Sequence, residues 1–171
     1  PLTIRSTASI ARAPPCPNRR VGLALGHPYG PDAECGLFRA TDGGQSFQKV
    51  LYKDEYTSGN DVRIDPANPN VVYAALWQQQ QSFIEGGGFG AAGNGIFKSI
   101  DGGTTWKQLT EGLPSVIEAN IAIAPSNSKV LYTTVAAAVA NNAVTGAVKP
   151  YKSTDAGEHW TLAQAGACAA G

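Results

Sequence analysis

One octet recurs three times in this chain: ATDGGQSF (40–47), SIDGGTTW (99–106) and STDAGEHW (153–160). Each copy reads as a small or hydroxyl residue, then Asp, a glycine-rich pair and an aromatic. The copies follow one another at intervals of about 55 residues, a period typical of stacked structural repeats. Either the aspartates carry chemistry or they hold a repeated turn. A repeat of this kind restricts the fold to architectures that use one supersecondary unit several times.

The octet is half of a larger unit. DVRIDPANPNVVYAALW (61–77) precedes the second copy, and ANIAIAPSNSKVLYTTV (119–135) precedes the third. They share a frame, Ile64/Pro66/Asn68/Val71/Tyr73 against Ile123/Pro125/Asn127/Val130/Tyr132. Both segments read as strand, Pro-Asn turn, strand, with alternating apolar positions. Ahead of the first octet, PPCPNRRVGLAL (14–25) keeps only Asn18 and Val21 of the frame. In the middle unit the four strands are expected over 61–65, 70–77, 95–99 and 105–109.

The expected fold is therefore all-β: about three four-stranded antiparallel β-propeller blades, over approximately 10–51, 60–110 and 119–163, forming one partial propeller. A β-sandwich also has evenly spaced short strands, but it does not require the same octet at the same hairpin three times. Closed propellers have about four to eight blades. The remaining blades, or a second copy of the chain, are thus expected as partners. The absence of methionine and the ends PLTIRS and AGACAAG favour a fragment of a longer protein.

Within a blade the octet falls at the turn between strands three and four. Its glycines take positive φ without a Cβ clash, and its Asp accepts backbone N–H groups of the same turn. The closing aromatic packs between sheets. Asp42, Asp101 and Asp155, with Phe47, Trp106 and Trp160, are accordingly expected to be structural. Successive turns of an up-and-down blade alternate between its two ends, so the octets share one end with the Pro-Asn turns. The other end carries the loops 26–35, 52–60, 78–94, 111–118 and 136–147.

Composition narrows the function. Apolar residues make up 43% and charged residues 15%, a globular balance. Lys+Arg and Asp+Glu are equal at 13 each, with no basic cluster beyond Arg19-Arg20, which argues against a nucleic-acid partner. No apolar run approaches the roughly 20 residues of a membrane span, and no secretory signal pattern opens the chain. Cys16, Cys35 and Cys168 match no metal-ligand spacing. A Cys16–Cys35 disulfide is possible. No metal and no cofactor are expected.

Candidate chemistry lies on the long-loop end: His27, Tyr29, Asp32, Glu34, Asp54, Glu55, Tyr56, Phe83, Glu85 and Glu118. Glycoside hydrolysis needs two carboxyls roughly 5–9.5 Å apart across the scissile bond. Asp54, Glu55 and Glu85 could supply such a pair, or could be ordinary solvated loop charges. Trp77 is a sugar-stacking platform or a packing residue at a strand end. Gln78 and Gln80, within the run QQQQ (78–81), offer the paired donors and acceptors that suit a hydroxyl-rich ligand. GFGAAG (88–93) satisfies a dinucleotide fingerprint, but a strand follows it where phosphate binding needs a helix. The arginines are not spaced one per blade, as a carboxylate-clamping sialidase site would want.

The octets resemble the Asp-box, or BNR, repeat of sialidases, xyloglucan-degrading glycoside hydrolases, sortilin-type receptors and a photosystem II assembly factor. The longer run from GLFRATDGGQSF to GIFKSIDGGTTWKQLTEGLP is most similar to bacterial BNR-repeat glycosyl hydrolases with a sortilin-like propeller. The resemblance covers about residues 21–162. Ala40 stands where the box has Ser or Thr, and Ala156 where it has glycine. The resemblance implies a propeller and a secreted, periplasmic or extracellular location, while function varies among its members. The residues favour a binding or assembly scaffold for a glycan, peptide or protein. The alternative is a xyloglucanase-like or sialidase-like glycoside hydrolase acting through the carboxylates above.

Overall fold

The computed structural model describes residues 10–12, 20–24, 33–42, 45–78, 80–82, 86–88, 93–138 and 144–163. The strands are β1 (Ile10–Arg12), β2 (Arg20–Ala24), β3 (Gly36–Ala40), β4 (Gln48–Leu51), β5 (Thr57–Ile64), β6 (Val72–Gln78) and β7 (Gln80–Ser82). There follow β8 (Gly86–Gly88), β9 (Gly95–Ser99), β10 (Lys107–Leu109), β11 (Val116–Ile123), β12 (Leu131–Ala138), β13 (Val144–Ser153) and β14 (Thr161–Leu162). Among the described residues there is no helix.

Three four-stranded sheets form in sequence: β1-β2-β3-β4, β5-β6-β9-β10 and β11-β12-β13-β14, with β7-β8 a separate two-stranded hairpin. Every pairing is antiparallel between neighbours in each sheet. The all-β expectation and the four-stranded antiparallel units are what the structure contains.

Strand β6 explains the run VVYAAL, which shows no polar alternation. Val72, Ala74 and Leu76 enter an apolar cluster with Leu37, Leu51, Val62 and Phe97, at the junction of the first and second sheets. Tyr73 and Ala75 point the other way, into a cluster with Ile96, Leu109, Ile121, Leu131, Val135 and Trp160 at the junction of the second and third sheets. A strand covered on both faces has no reason to alternate. All five of these β6 residues are fully buried, each large one contributing about 1.5–3 kcal/mol by its removal from water.

Polar groups also cross between sheets. Asp61, 3% exposed, accepts from Val62 N with one oxygen and from Ile121 N on β11 with the other, both at 2.9 Å. Arg63 Nη2 pairs with Asp61 at 3.3 Å, and its Nε donates to Ile121 O at 2.8 Å. Both backbone groups of Ile121, on the edge strand of the third sheet, are thereby bonded by side chains of the second.

The strand limits differ from expectation in one instructive place. β5 begins at Thr57, inside the expected 52–60 loop, because Thr57, Ser58 and Gly59 are buried and pair with Gln78, Trp77 and Leu76. A register shift between Gly59 and Asp61 leaves Asn60 outside the ladder, where its amide donates to Ala119 O at 2.9 Å. The expected fourth strand loses its first residues, since Thr105 is still bonded within the octet turn. The 78–94 loop holds the β7-β8 hairpin, and β9 rather than a helix follows Gly88, as the sequence context of GFGAAG requires.

Candidate functional site

The octets have a common internal geometry. Asp101 Oδ1 accepts from Thr104 N and Thr105 N, both at 2.8 Å, and from Ser99 Oγ at 2.7 Å. Its Oδ2 accepts from Thr105 Oγ1 at 2.6 Å. Ser99 Oγ in turn accepts from Gly103 N at 2.8 Å. In the third octet Asp155 accepts from Ser153 Oγ at 2.8 Å and His159 N at 3.0 Å, and meets His159 Nδ1 at 2.7 Å. Asp42 accepts from Gln45 N at 3.0 Å and Ser46 Oγ at 2.5 Å. These bonds hold the carboxyls of Asp101 and Asp155 well below the usual carboxylate range; the largest cause is the Thr105 hydroxyl for Asp101 and the His159 backbone N–H for Asp155.

The second and third octets are each tied to their own sheet and lean on the sheet before it. Gly102 N donates to Asn70 O, and Ala156 N to Lys129 O, both at 2.8 Å, tying octet and Pro-Asn turn together at one end of the sheet. Arg39 Nη1 donates to Gly102 O at 2.8 Å and Thr104 Oγ1 at 3.3 Å. One sheet further on, Lys98 Nζ reaches Glu158 at 2.7 Å, Lys107 joins it at 2.8 Å, and Tyr73 Oη donates to Ala156 O at 3.0 Å. The two lysines lower the Glu158 pKa, Lys107 most, while burial raises that of Tyr73. Trp160 completes the cluster between the second and third sheets, and Trp106 packs against that between the first and second.

The opposite end holds a crevice of about 200 Å³ between the second and third sheets. Asn94 and Gly95 line it from the start of β9, Gln108 and Leu109 from the end of β10, and Thr110, Pro114, Ser115 and Val116 from the crossing to β11. Asn94 Oδ1 accepts from Gln78 N at 2.6 Å, and Asn94 O accepts from Gln108 Nε2 at 3.0 Å. Gly95 has φ 143°, and a Cβ there would lie 2.6 Å from Gln108 Nε2. The glycine is what lets the glutamine amide cross the strand. Gln108, Thr110 and Ser115 are exposed.

Of the residues named from sequence, Asp54 and Glu55 lie in the β4-β5 connection, outside the crevice lining. Asp54 Oδ1 accepts from Tyr56 N at 2.9 Å, and Glu55 O accepts from the buried Cys35 Sγ at 3.3 Å. Trp77 is half-buried, with its indole N–H shielded and without an acceptor among the described residues. Gln78 meets the site through its backbone. Gln80 lies on β7. His27, Tyr29, Asp32, Phe83, Glu85, Cys16 and Cys168 fall outside the described residues, and so does any Asp54–Glu85 or Glu55–Glu85 pair. Among the described residues no group of three or more His, Cys, Asp or Glu side chains is placed to hold a metal ion, and no helix is long and apolar enough to cross a membrane.

Sequence reasoning missed Gln108, Thr110 and Ser115. The available signal was the pairing phase of β9 and β10, which sets Gln108 against Phe97, combined with the glycine at position 95.

No family model matches the chain, and no curated protein matches it. Solved structures do. An ancestral GH74 enzyme superposes with a TM-score of 0.65 at 22% identity over 98% of this chain. The chain has a propeller fold. The GH74 enzyme of Niastella koreensis gives 0.56 at 21% identity over 95% of the chain, and the GH74 xyloglucanase of Xanthomonas campestris 0.57 at 16% over 86%. The chain spans only 19%, 23% and 19% of those three proteins.

Proposed function

We propose that this chain is a length of propeller wall that binds a hydroxyl-rich ligand, a glycan, at the end remote from the octets, and that the octets are structural Asp-box clasps. The observation that carries the reading is the crevice lining. Its polar side chains are two amides, Asn94 and Gln108, and two hydroxyls, Thr110 and Ser115, with Leu109, Pro114 and Val116 between them. Neutral donors and acceptors set among apolar surface suit sugar hydroxyls and ring faces better than an ionic ligand. The solved structures it resembles include a xyloglucanase, which makes plant polysaccharide the first class to test and a secreted, periplasmic or extracellular location the natural one.

Hydrolysis through Asp54, Glu55 and Glu85 is the second reading, favoured by the same likeness. Against it, one Asp54 oxygen is already engaged by its own turn. Hydrogen exchange on adding xyloglucan oligosaccharides, with a parallel reducing-end assay, separates the two. Binding predicts protection over 93–95 and 108–118 with no new reducing ends. Release of reducing ends that is lost in Asp54→Asn or Glu55→Gln replaces the scaffold by the hydrolase. Protection confined to 41–46 or 101–105 rejects the choice of end.

A further inference from the structure

The crevice does not offer its polar side chains on equal terms, and the difference bears on which group of a ligand it reads. Asn94 is 2% exposed, and its Oδ1 accepts from Gln78 N at 2.6 Å. Its part is to hold the wall together. Thr110 and Ser115 are exposed, but a hydroxyl rotates between donor and acceptor and imposes neither role on a ligand. Gln108 is different. It too is exposed, and its Nε2 donates to the backbone carbonyl of Asn94 at 3.0 Å.

A main-chain carbonyl only accepts, so this bond fixes which end of the Gln108 amide is nitrogen and which is oxygen. Turning the amide end for end would set two oxygens against each other. Gly95 keeps room for the arrangement. A Cβ there would lie 2.6 Å from Nε2 and 3.4 Å from Cδ, so a side chain at this position displaces the amide. Gln108 Oε1 has no hydrogen-bond partner among the described residues. It is a pre-set acceptor, and the group that meets it must bring a hydrogen. In a neutral glycan that group is a hydroxyl; ether and carboxylate oxygens have no hydrogen to give.

We propose that Gln108 sets the specificity of the crevice by accepting from a ligand hydroxyl through Oε1, and that Gly95 is the positioning residue for its amide. The inference rests on the glycan reading of the crevice and adds the group by which the glycan is read. A site built to bond a hydroxyl discriminates most strongly against ligands that lack it.

Calorimetric titration with xyloglucan oligosaccharides tests it on the native chain, on Gln108→Ala, on Gly95→Ala and on the double variant. Gln108→Ala should weaken binding about tenfold, the size of one hydrogen bond between neutral groups. Gly95→Ala should weaken it comparably, and should cost nothing further where Gln108→Ala is already present, because its effect on the ligand runs through the amide. A loss of melting temperature from the positive φ of Gly95 should instead be the same in both backgrounds. In nuclear magnetic resonance the side-chain carbonyl signal of Gln108 should shift when ligand is added to the native chain. A native chain that binds none of these oligosaccharides removes the glycan reading and this inference with it. Binding by the native chain, with Gln108→Ala binding as tightly or the carbonyl signal unmoved, overturns this inference and leaves the glycan reading standing. Weakening by Gly95→Ala that is equal in both backgrounds removes Gly95 as the positioning residue.

Discussion

The three octet aspartates are not equally bonded. Asp101 and Asp155 each receive a serine hydroxyl two residues upstream, while Ala40 leaves Asp42 without that donor. Ala156 is the only non-glycine at positive φ among the described residues, at 60°, where its Cβ is crowded. The pH response follows from the same bonds. The folded-state pKa values of Asp101 and Asp155 are depressed, so their contribution is complete above the ordinary carboxylate range and is lost as pH falls from there through the lower folded values. His159 is raised, first by its bond to Asp155. Its contribution is therefore complete below its unfolded value of 6.5 and is lost as pH rises through the higher folded value. All three groups are largely in water, so the effects are small and shrink with added salt. Melting temperature should thus be highest between the carboxylate range and about pH 6.5. Asp155→Asn should flatten the acid side, and His159→Gln the neutral side. An acid limb unchanged in both Asp101→Asn and Asp155→Asn would contradict this account.

Among the connections, the crossing from β10 to β11 is held more tightly than its composition suggests. Gly112 has φ 81°, and a Cβ there would lie 1.9 Å from Trp160 O, while Trp160 N donates to Glu111 O at 2.9 Å. Gly112→Ala should cost about 2–4 kcal/mol, because neither the backbone carbonyl nor the positive φ can give way cheaply. Urea denaturation would measure it, and a loss below about 0.5 kcal/mol would show the turn to be adaptable. Nothing in TEGLP announced this contact, which depends on a residue from another hairpin. The octets and the Pro-Asn frame were legible because each is a local hydrogen-bonding pattern, Asn68 to Asn70 and Asn127 to Lys129 included. The start of β5 was not, since TSGN has turn composition and becomes strand only under burial. The crevice was missed for a related reason: Gln108, Thr110 and Ser115 are ordinary polar residues until two sheets bring them together.

Across the molecule, two kinds of interaction have different reach. The apolar clusters on either side of β6 join residues far apart in sequence, Leu37 with Leu76 and Phe97, and Tyr73 with Leu131 and Trp160. The octet bonds span four residues or fewer, as from Thr105 to Asp101. Folding kinetics should separate them, because local contacts cost little chain entropy and form early. Ser99→Ala removes an octet donor, and Leu76→Ala opens a cavity costing about 2–5 kcal/mol. Stopped-flow measurements should find the Ser99 change mainly in the refolding rate, with a kinetic φ-value approaching about 1, and the Leu76 change mainly in the unfolding rate. The reverse assignment would mean that the sheets dock before their hairpins close. A chain built this way must close its turns before its sheets can dock, so a change of one hydroxyl in an exposed hairpin governs how fast the propeller wall assembles while hardly altering how long it lasts.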